Sequence, residues 1–525
     1  MKMRYVLRSF LLSVLVLLMT VVLCACGDDK ESTGEASLSS SESTPAESEI
    51  VPTMGGSLVF GMTSDLASLD PHQSLDAGTR SVLFNVYEGL VKATSTGELK
   101  PAVAEDYEIS KDAKEYTFIL RDGITFHDGN QVTAEDIQYS IERYAELEGE
   151  GSAFFNALDR VEIQDAKTVV VYLKEGNSEF LSELTLAIIP ANNDDPAGNP
   201  IGTGPYMYKN YAAGQKLELK KYEGYWNQEE MPYLDEVQFK VIADMNTAIL
   251  ELQAGTIDVL NYMTAAQIQT LGSDFTIVEG NMNLVQAMFL NNEYKPLQDV
   301  HVRQALCYAI NRQEISDFLF GGKSNLLGAH MIPALKQWYE PAAENLYEYN
   351  TEKAKQLLAE AGYADGFDLE ITVPSSYTQH VQTAEIIVDQ LSRVGIQATI
   401  KKVEWTTWKE ETYRNRQYEA TIIGFDGTLA PSDWLKKYET TAANNIANYS
   451  NEEYDSLLAD ALASIDETEK STLYKQMQMN LAENAASVFI QDPADFVAMN
   501  EKFGGYEFYP TGAWDVSKIF IKAQQ

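Results

Sequence analysis

The chain has 525 residues, 45% of them hydrophobic, enough to build two or more cores. A formal charge of −39 repels phosphate backbones and argues against a nucleic acid partner. Three cysteines, at positions 24, 26 and 307, supply no disulfide framework, so stability has to come from burial.

Lys2, Arg4 and Arg8 are the only charges before Asp28, and residues 10–23 are almost entirely aliphatic. A basic start followed by a short apolar run is the layout of a secretory signal peptide. A membrane-spanning helix would need about 20 apolar residues. Leu23-Cys24-Ala25-Cys26 resembles the bacterial lipobox, with Ala25 as the small residue before the cut and Leu23 the aliphatic residue three before Cys26. The resemblance implies a signal peptide over 1–25 and lipidation of Cys26, with Cys24 leaving with the leader. The alternative is an ordinary secreted protein cut nearby. Removing 1–25 deletes three positive and no negative charges, so the mature chain is more acidic still. Residues 26–55 are rich in Ser, Glu, Thr and Gly, with too little apolar content to offset the entropy of ordering. They read as a flexible linker with an end-to-end distance on the order of 30 Å.

A folded pattern begins at Gly56 with "GSLVFG" and continues to the end. Asp122-Gly123 and Asp128-Gly129 read as hairpin turns around "ITF". Thr133 is the expected cap of a helix, with Asp136 at its third position. Residues 168–173, 216–220 and 236–242 read as strands. In "GTGPY", Gly202, Gly204 and Pro205 are expected to permit tight backbone turns; Met207 stands where a dinucleotide fingerprint needs its third glycine. Residues 302–310, 351–361 and 385–394 carry apolar residues at helical spacing, and "IQATIKKVEW" after them alternates like a strand. Cys307 lies on the apolar face of the first of these helices, which suits packing. "GGKS" at 321–324 mimics the end of a phosphate loop, but Asp317 occupies the first glycine position. The whole is a mixed α/β chain without repeats or a second linker.

Nothing in it calls for catalysis. His72, His127, His301, His330 and His380 never fall in a metal-ligand spacing, and GxSxG is absent. No catalytic residue, metal or cofactor is predicted. A hydrolase built on a borrowed scaffold is the enzymatic alternative.

Seven blocks carry a resemblance across nearly the whole mature chain. They are "SLDPHQSLDAGTRSVLFNVYEGLV" (68–91), "YTFILRDGITFHDGNQVTAEDIQYSIER" (116–143), "PIGTGPYMYKNY" (200–211), "YEGYW" (222–226), "LQAGTIDVL" (252–260), "LNNEYKPLQDVHVRQALCYAINRQEI" (290–315) and "KAKQLLAEAGYADGFDLEITV" (353–373). Together, and in this order, they resemble family 5 of the extracytoplasmic solute-binding proteins, which serve peptide, nickel and related ABC importers. The resemblance implies a two-lobed α/β fold of the type II periplasmic-binding-protein kind, with an extra subdomain inserted in the first lobe. Carried onto this chain, the solute-binding domain is 56–525. Lobe I is 56–84, 201–285 and 488–525, the insert is 85–200, and lobe II is 286–487. A ligand touching both lobes would favour the closed form.

The expected partners are a small-molecule or peptide ligand, ABC permease subunits and, through the lipid anchor, the extracytoplasmic face of the cell membrane. The protein is expected to act as a monomer. In peptide-binding relatives an acid a few residues after a Gly-Trp pair receives the ligand's amine. Here the segment is "IIGFDGTLAPSDW" (422–434): Phe425 replaces the tryptophan, Thr428 falls where the acid is expected, and Asp426 is two residues early. Asp426 can take the role only through a differently shaped loop. Trp405 is expected on the cleft wall, with pure core packing as the alternative. Asp76, Thr79, Asn261, Tyr262 and Asn283 lie in segments that line the cleft in relatives. A short peptide is the expected ligand. An oligosaccharide, a nickel chelate, another small solute, or a sensor role for a surface receptor are the alternatives.

Overall fold

A computed structural model describes residues 51–523 apart from Leu75, Glu150 and Gly151. The expected signal peptide, Cys24, Cys26 and most of the expected linker lie outside the described residues. The three largest sheets organise the rest. A seven-stranded sheet runs, edge to edge, Phe275–Asn281, Ala494–Asn500, Val259–Met263, Ser57–Met62, Glu236–Val241, Lys216–Lys221 and Tyr206–Ala212. A six-stranded sheet runs Asn325–Leu326, Ser487–Asp492, Val285–Leu290, Ala420–Phe425, Asp368–Pro374 and Gln397–Val403. A four-stranded antiparallel sheet runs Ala104–Ile109, Glu115–Leu120, Thr168–Leu173 and Leu158–Ile163.

Burial follows strand geometry. Val285–Leu290 is buried along its whole length. Successive side chains point to opposite faces, so Met288 and Leu290 enter one core of the six-stranded body while Val285, Ala287 and Phe289 enter the other. The helices Val300–Ala309, Thr351–Glu360 and Thr378–Ser392 cover the first of these cores with their apolar stripes. Cys307 packs there, and burial pushes its thiol up to about 12, which makes it inert. The helix Ala134–Glu148 closes a capping box between Thr133 and Asp136, as its sequence leads one to expect.

Several sequence blocks meet at one buried carboxylate. Glu88 accepts hydrogen bonds from Tyr225 Oη (2.8 Å), Trp226 Nε1 (2.8 Å), Lys92 Nζ (3.1 Å) and Thr203 Oγ1 (3.4 Å). The "GTGPY" glycines work differently from the expectation of tight turns. Neither has a positive φ, but a Cβ on Gly202 would stand 2.1 Å from Val86 O, and one on Gly204 2.6 Å from Asn85 O. They are small so that two backbones can touch. His127 clamps the same loop, with Nε2–H donating to Gly204 O (3.0 Å) and Nδ1 accepting from Gly202 N (3.3 Å). His72 is held alike: Nε2–H donates to Ala187 O (2.8 Å) and Nδ1 accepts from Arg143 (2.9 Å), whose guanidinium also grips Asp70.

The chain passes between the seven- and six-stranded sheets twice. It leaves at Asn281 and enters at Val285, and it returns from Asp492 to Ala494. The two crossings lie side by side. Met282 N donates to Pro493 O (2.9 Å), Asn281 Nδ2 to Asp492 O (3.1 Å), and Leu284 N to the Asp492 carboxyl (3.2 Å).

Both clamped imidazoles are neutral, and burial pulls each down to about 4. In the unfolded chain they titrate near 6.5. Their stabilising contribution is therefore complete above pH 6.5 and is lost as pH falls towards 4. Urea unfolding at pH 7 and pH 5 should show each histidine costing up to about 2 kcal/mol at the lower pH. His127→Gln should flatten that slope; an unchanged slope would mean the imidazole is not held neutral.

Candidate functional site

The crossings place the ends of two sheets opposite one another. From the seven-stranded side comes strand Val259–Met263, in which Tyr262 adopts a φ of 57°. Its amide donates to Asp495 (3.1 Å) and its ring lies 6.2 Å from that of Trp514. Asn261 beside it is buried, and its Nδ2 has no hydrogen-bond partner. From the six-stranded side come Tyr377, Trp405 and the end of strand Ala420–Phe425. Tyr377 meets Trp405 edge to face at 5.3 Å, and Trp405 stacks on buried Trp408 at 5.2 Å. Phe425 packs against Phe289 and Tyr413, half-buried.

Asp426, exposed, follows Phe425, and its charge acts on a tyrosine from each side. Desolvation and then the Asp426 charge raise the Tyr377 phenol. Desolvation, Asp495 and Asp426 raise that of Tyr262. Asp426 also lines a cavity of about 500 Å³ whose other walls include Arg80, Phe84, Tyr144, Glu183 and Leu429. Burial, with the charge of Asp433 added, pushes the Glu183 carboxyl up to about 7.

Two lysines shape this loop. Lys437 Nζ donates to Asp426 O (3.1 Å) and lies 5.4 Å from the Phe425 ring centroid. Desolvation brings its ammonium down to about 8, against the pull of Asp433 and Asp426. Lys436 pairs with Asp433, whose other oxygen accepts from the Thr428 hydroxyl. Thr428 thus fixes the loop from within.

A relay braces the loop from behind. Gly424 N donates to His380 Nε2 (3.2 Å), so Nδ1 carries the proton of an imidazole that burial pulls down to about 3. Nδ1 lies 2.8 Å from the Gln286 amide, itself 2.8 Å from the Gln491 amide. His380 can donate here once the side-chain amides of Gln286 and Gln491 are both turned over, exchanging oxygen and nitrogen, so that Gln286 accepts from Nδ1–H and donates onward to the Gln491 oxygen. The strand that ends in Phe425 is thereby tied to the return crossing.

Of the residues named from sequence, Trp405 and Phe425 both pack on Trp408, and the charge of Asp426 acts on Tyr262 from the other body. Asn261 is buried behind Tyr262. Asp76 is exposed and caps helix Ala77–Leu83, accepting from Thr79 N (2.8 Å), while buried Thr79 accepts from Ala67 N (2.9 Å). Asn283, at φ 55° in the outgoing crossing, donates to Tyr509 O (2.9 Å). Sequence reasoning missed Tyr377, Trp514, Lys437 and Glu183, which reach the site from four separate elements. Among the described residues no three His, Cys, Asp or Glu side chains are grouped to hold a metal, and no helix is long and apolar enough to cross a membrane.

The family pattern described as "Bacterial extracellular solute-binding proteins, family 5 Middle" matches residues 98–445. The oligopeptide-binding protein AppA of Bacillus subtilis is 28% identical, over 95% of this chain and 96% of its own length. Among solved structures, the ABC transporter substrate binding protein CtaP of Listeria monocytogenes superposes with a TM-score of 0.81 at 25% identity, covering 90% of this chain and 100% of that one. DppA of Helicobacter pylori, solved in complex with the peptide STSA, gives 0.74 at 26% identity, covering 90% and 99%.

The Thr428–Asp433 bond generates a test. Thr428→Asp would set two carboxylates against each other where a hydroxyl now donates, and should cost about 1–3 kcal/mol in thermal or urea unfolding. Asp433→Asn added to it should recover most of the loss. A Thr428→Asp variant as stable as the parent would show that the hydroxyl does not hold the loop.

Proposed function

This chain belongs to family 5 of the bacterial extracellular solute-binding proteins, and on that premise we propose that it is the lipid-anchored substrate-binding component of an ABC importer, capturing a short peptide between two closing lobes. The chain has the two-lobed type II fold of its structural relatives and acts outside the cytoplasm, as a transport binding protein rather than an enzyme. The peptide, the anchor on Cys26 and delivery to a permease are the proposed part.

One observation carries the reading. Asp426 lines a cavity of about 500 Å³, within the range of about 300–1,000 Å³ typical of small-ligand sites, and its charge acts on a tyrosine from each side of the cleft. A peptide ammonium set between them would bridge the two bodies, and a ligand that bridges favours the closed form by its extra contacts there. Names of relatives support the same class, since AppA is called oligopeptide-binding and DppA was solved with a tetrapeptide. A second reading, a solute without an amine, is favoured by the Lys437 ammonium lying beside Asp426.

Mass spectrometry of material released by denaturing the purified protein should find short peptides; a single non-peptide solute would select the second reading. If Asp426 receives the amine, Asp426→Asn should weaken a peptide found in this way roughly 30-fold or more, equivalent to about 2–5 kcal/mol. N-acetylation of that peptide should cost the parent protein far more than the variant. Equal binding by parent and variant would remove Asp426 from the role. For the anchor, Cys26→Ser should free the protein from the membrane fraction or leave an unprocessed precursor, since a diacyl group is a large part of stable attachment. Normal processing with full membrane retention would refute it.

A further inference from the structure

Beyond the cavity rim the four-stranded body and the six-stranded body touch through a buried polar cluster that no ligand role requires. The segment Phe180–Thr185 is rooted in the core of the four-stranded sheet by Phe180 and Leu184. Just before it, Glu179 reaches into the other body. One carboxylate oxygen accepts from the Tyr474 hydroxyl and pairs with Lys470 Nζ at 3.3 Å; the other accepts from Ser432 N at 3.1 Å. Lys470 also donates to the Ser178 hydroxyl, which donates to Ser464 O at 3.2 Å. The side chains of Glu179 and Lys470 are only 7% and 6% exposed.

Every partner of this carboxylate lies on the six-stranded side, on helices Pro431–Leu435 and Glu467–Glu483. The chain itself joins the seven- and six-stranded sheets only at 281–285 and 492–494 among the described residues. The cluster is therefore a non-covalent contact separate from the crossings, next in the chain to the walls 182–187 and 426–429 of the cavity. We infer that Glu179, with Lys470, Tyr474 and Ser432, is a clasp that holds the cleft shut from outside the ligand cavity.

The physics of a buried ion pair suits such a role. Desolvating two charges nearly offsets their attraction, so a well-bonded pair is close to break-even against water. The clasp can then form and release without locking the protein. Removing one partner is another matter, because the closed form would bury the remaining charge alone. Either single loss should favour opening strongly, and a neutral, hydrogen-bonded replacement of both should not.

This inference does not depend on which solute is bound, so it is tested without ligand. Hydrogen–deuterium exchange on the full chain should show Glu179→Ala and Lys470→Met each raising exchange in 178–186 and 426–435 by tenfold or more. Strands Val285–Leu290 and Ser487–Asp492 should keep parental protection, which separates opening from loss of fold. The double variant Glu179→Gln/Lys470→Met removes both charges, keeps an acceptor oxygen for Ser432 N and offers an amide N–H to the Tyr474 hydroxyl, whose oxygen can accept it; it should return towards the parent. Unchanged exchange in the single variants, loss of protection that extends to those two strands, or a double variant as open as the singles would each overturn the clasp.

Discussion

The architecture hangs on a pair of adjacent backbone crossings tied to each other by hydrogen bonds. Asp492 holds them: its carbonyl accepts from Asn281 and its carboxyl from Leu284, while its second carboxyl oxygen finds no partner. Burial, with the nearby charge of Asp495 added, raises its pKa well above the usual carboxylate range. Around this joint the two sheets present their ends to one another. Tyr262 on one side and Phe425 with Asp426 on the other are strand-end residues, and the relay from Gly424 through His380, Gln286 and Gln491 connects the second wall to the joint. What happens at the cleft is thus mechanically close to what happens at the crossings.

The bodies on either side are held by a few buried polar nodes set in apolar cores. Glu88 is one: a carboxylate out of water that offers its oxygens to four donors, three of them from distant parts of the chain. Such a node is costly if one partner is lost and specific when all are present. Asp70 with Arg143 and His72 is a second, and the His127 clamp a third. Each pins a loop to a sheet at a place where aliphatic packing alone would allow several arrangements.

Local features were legible in the residues because local physics decides them. The Thr133 capping box, the helix around Cys307 and the strand 397–403 follow from capping chemistry and periodicity. The order of strands within the sheets was not legible, since nothing in Val259–Met263 or Phe275–Asn281 records which strand lies between them. The site was partly legible for the same reason. Asp426 could be found because it sits in a short segment with a recognisable pattern. Asp76 and Thr79 illustrate the ambiguity, because an oxygen suited to a ligand's ammonium is equally suited to a helix N-terminus, and here those side chains serve the helix and its neighbouring loop. Lys437 was invisible: no local pattern says which of two adjacent lysines turns towards the Asp426 carbonyl. Glycines 202 and 204 were noticed for the wrong physical reason, being needed for proximity rather than for φ.

The position of strand Ala494–Asn500 has a consequence for how the protein comes into being. It fills the slot between Val259–Met263 and Phe275–Asn281, two strands made more than two hundred residues earlier. A chain that emerges N-terminus first must hold that slot open, about two inter-strand spacings or roughly 10 Å wide, while the entire six-stranded body is synthesised. That later body is contiguous in sequence, from Val285 to Asp492, and can close on itself before the earlier one is complete. The sheet begun first is finished last, with unpaired strand edges exposed in the interval. This is the kind of vulnerability for which nascent secreted chains depend on protection until their final strand arrives.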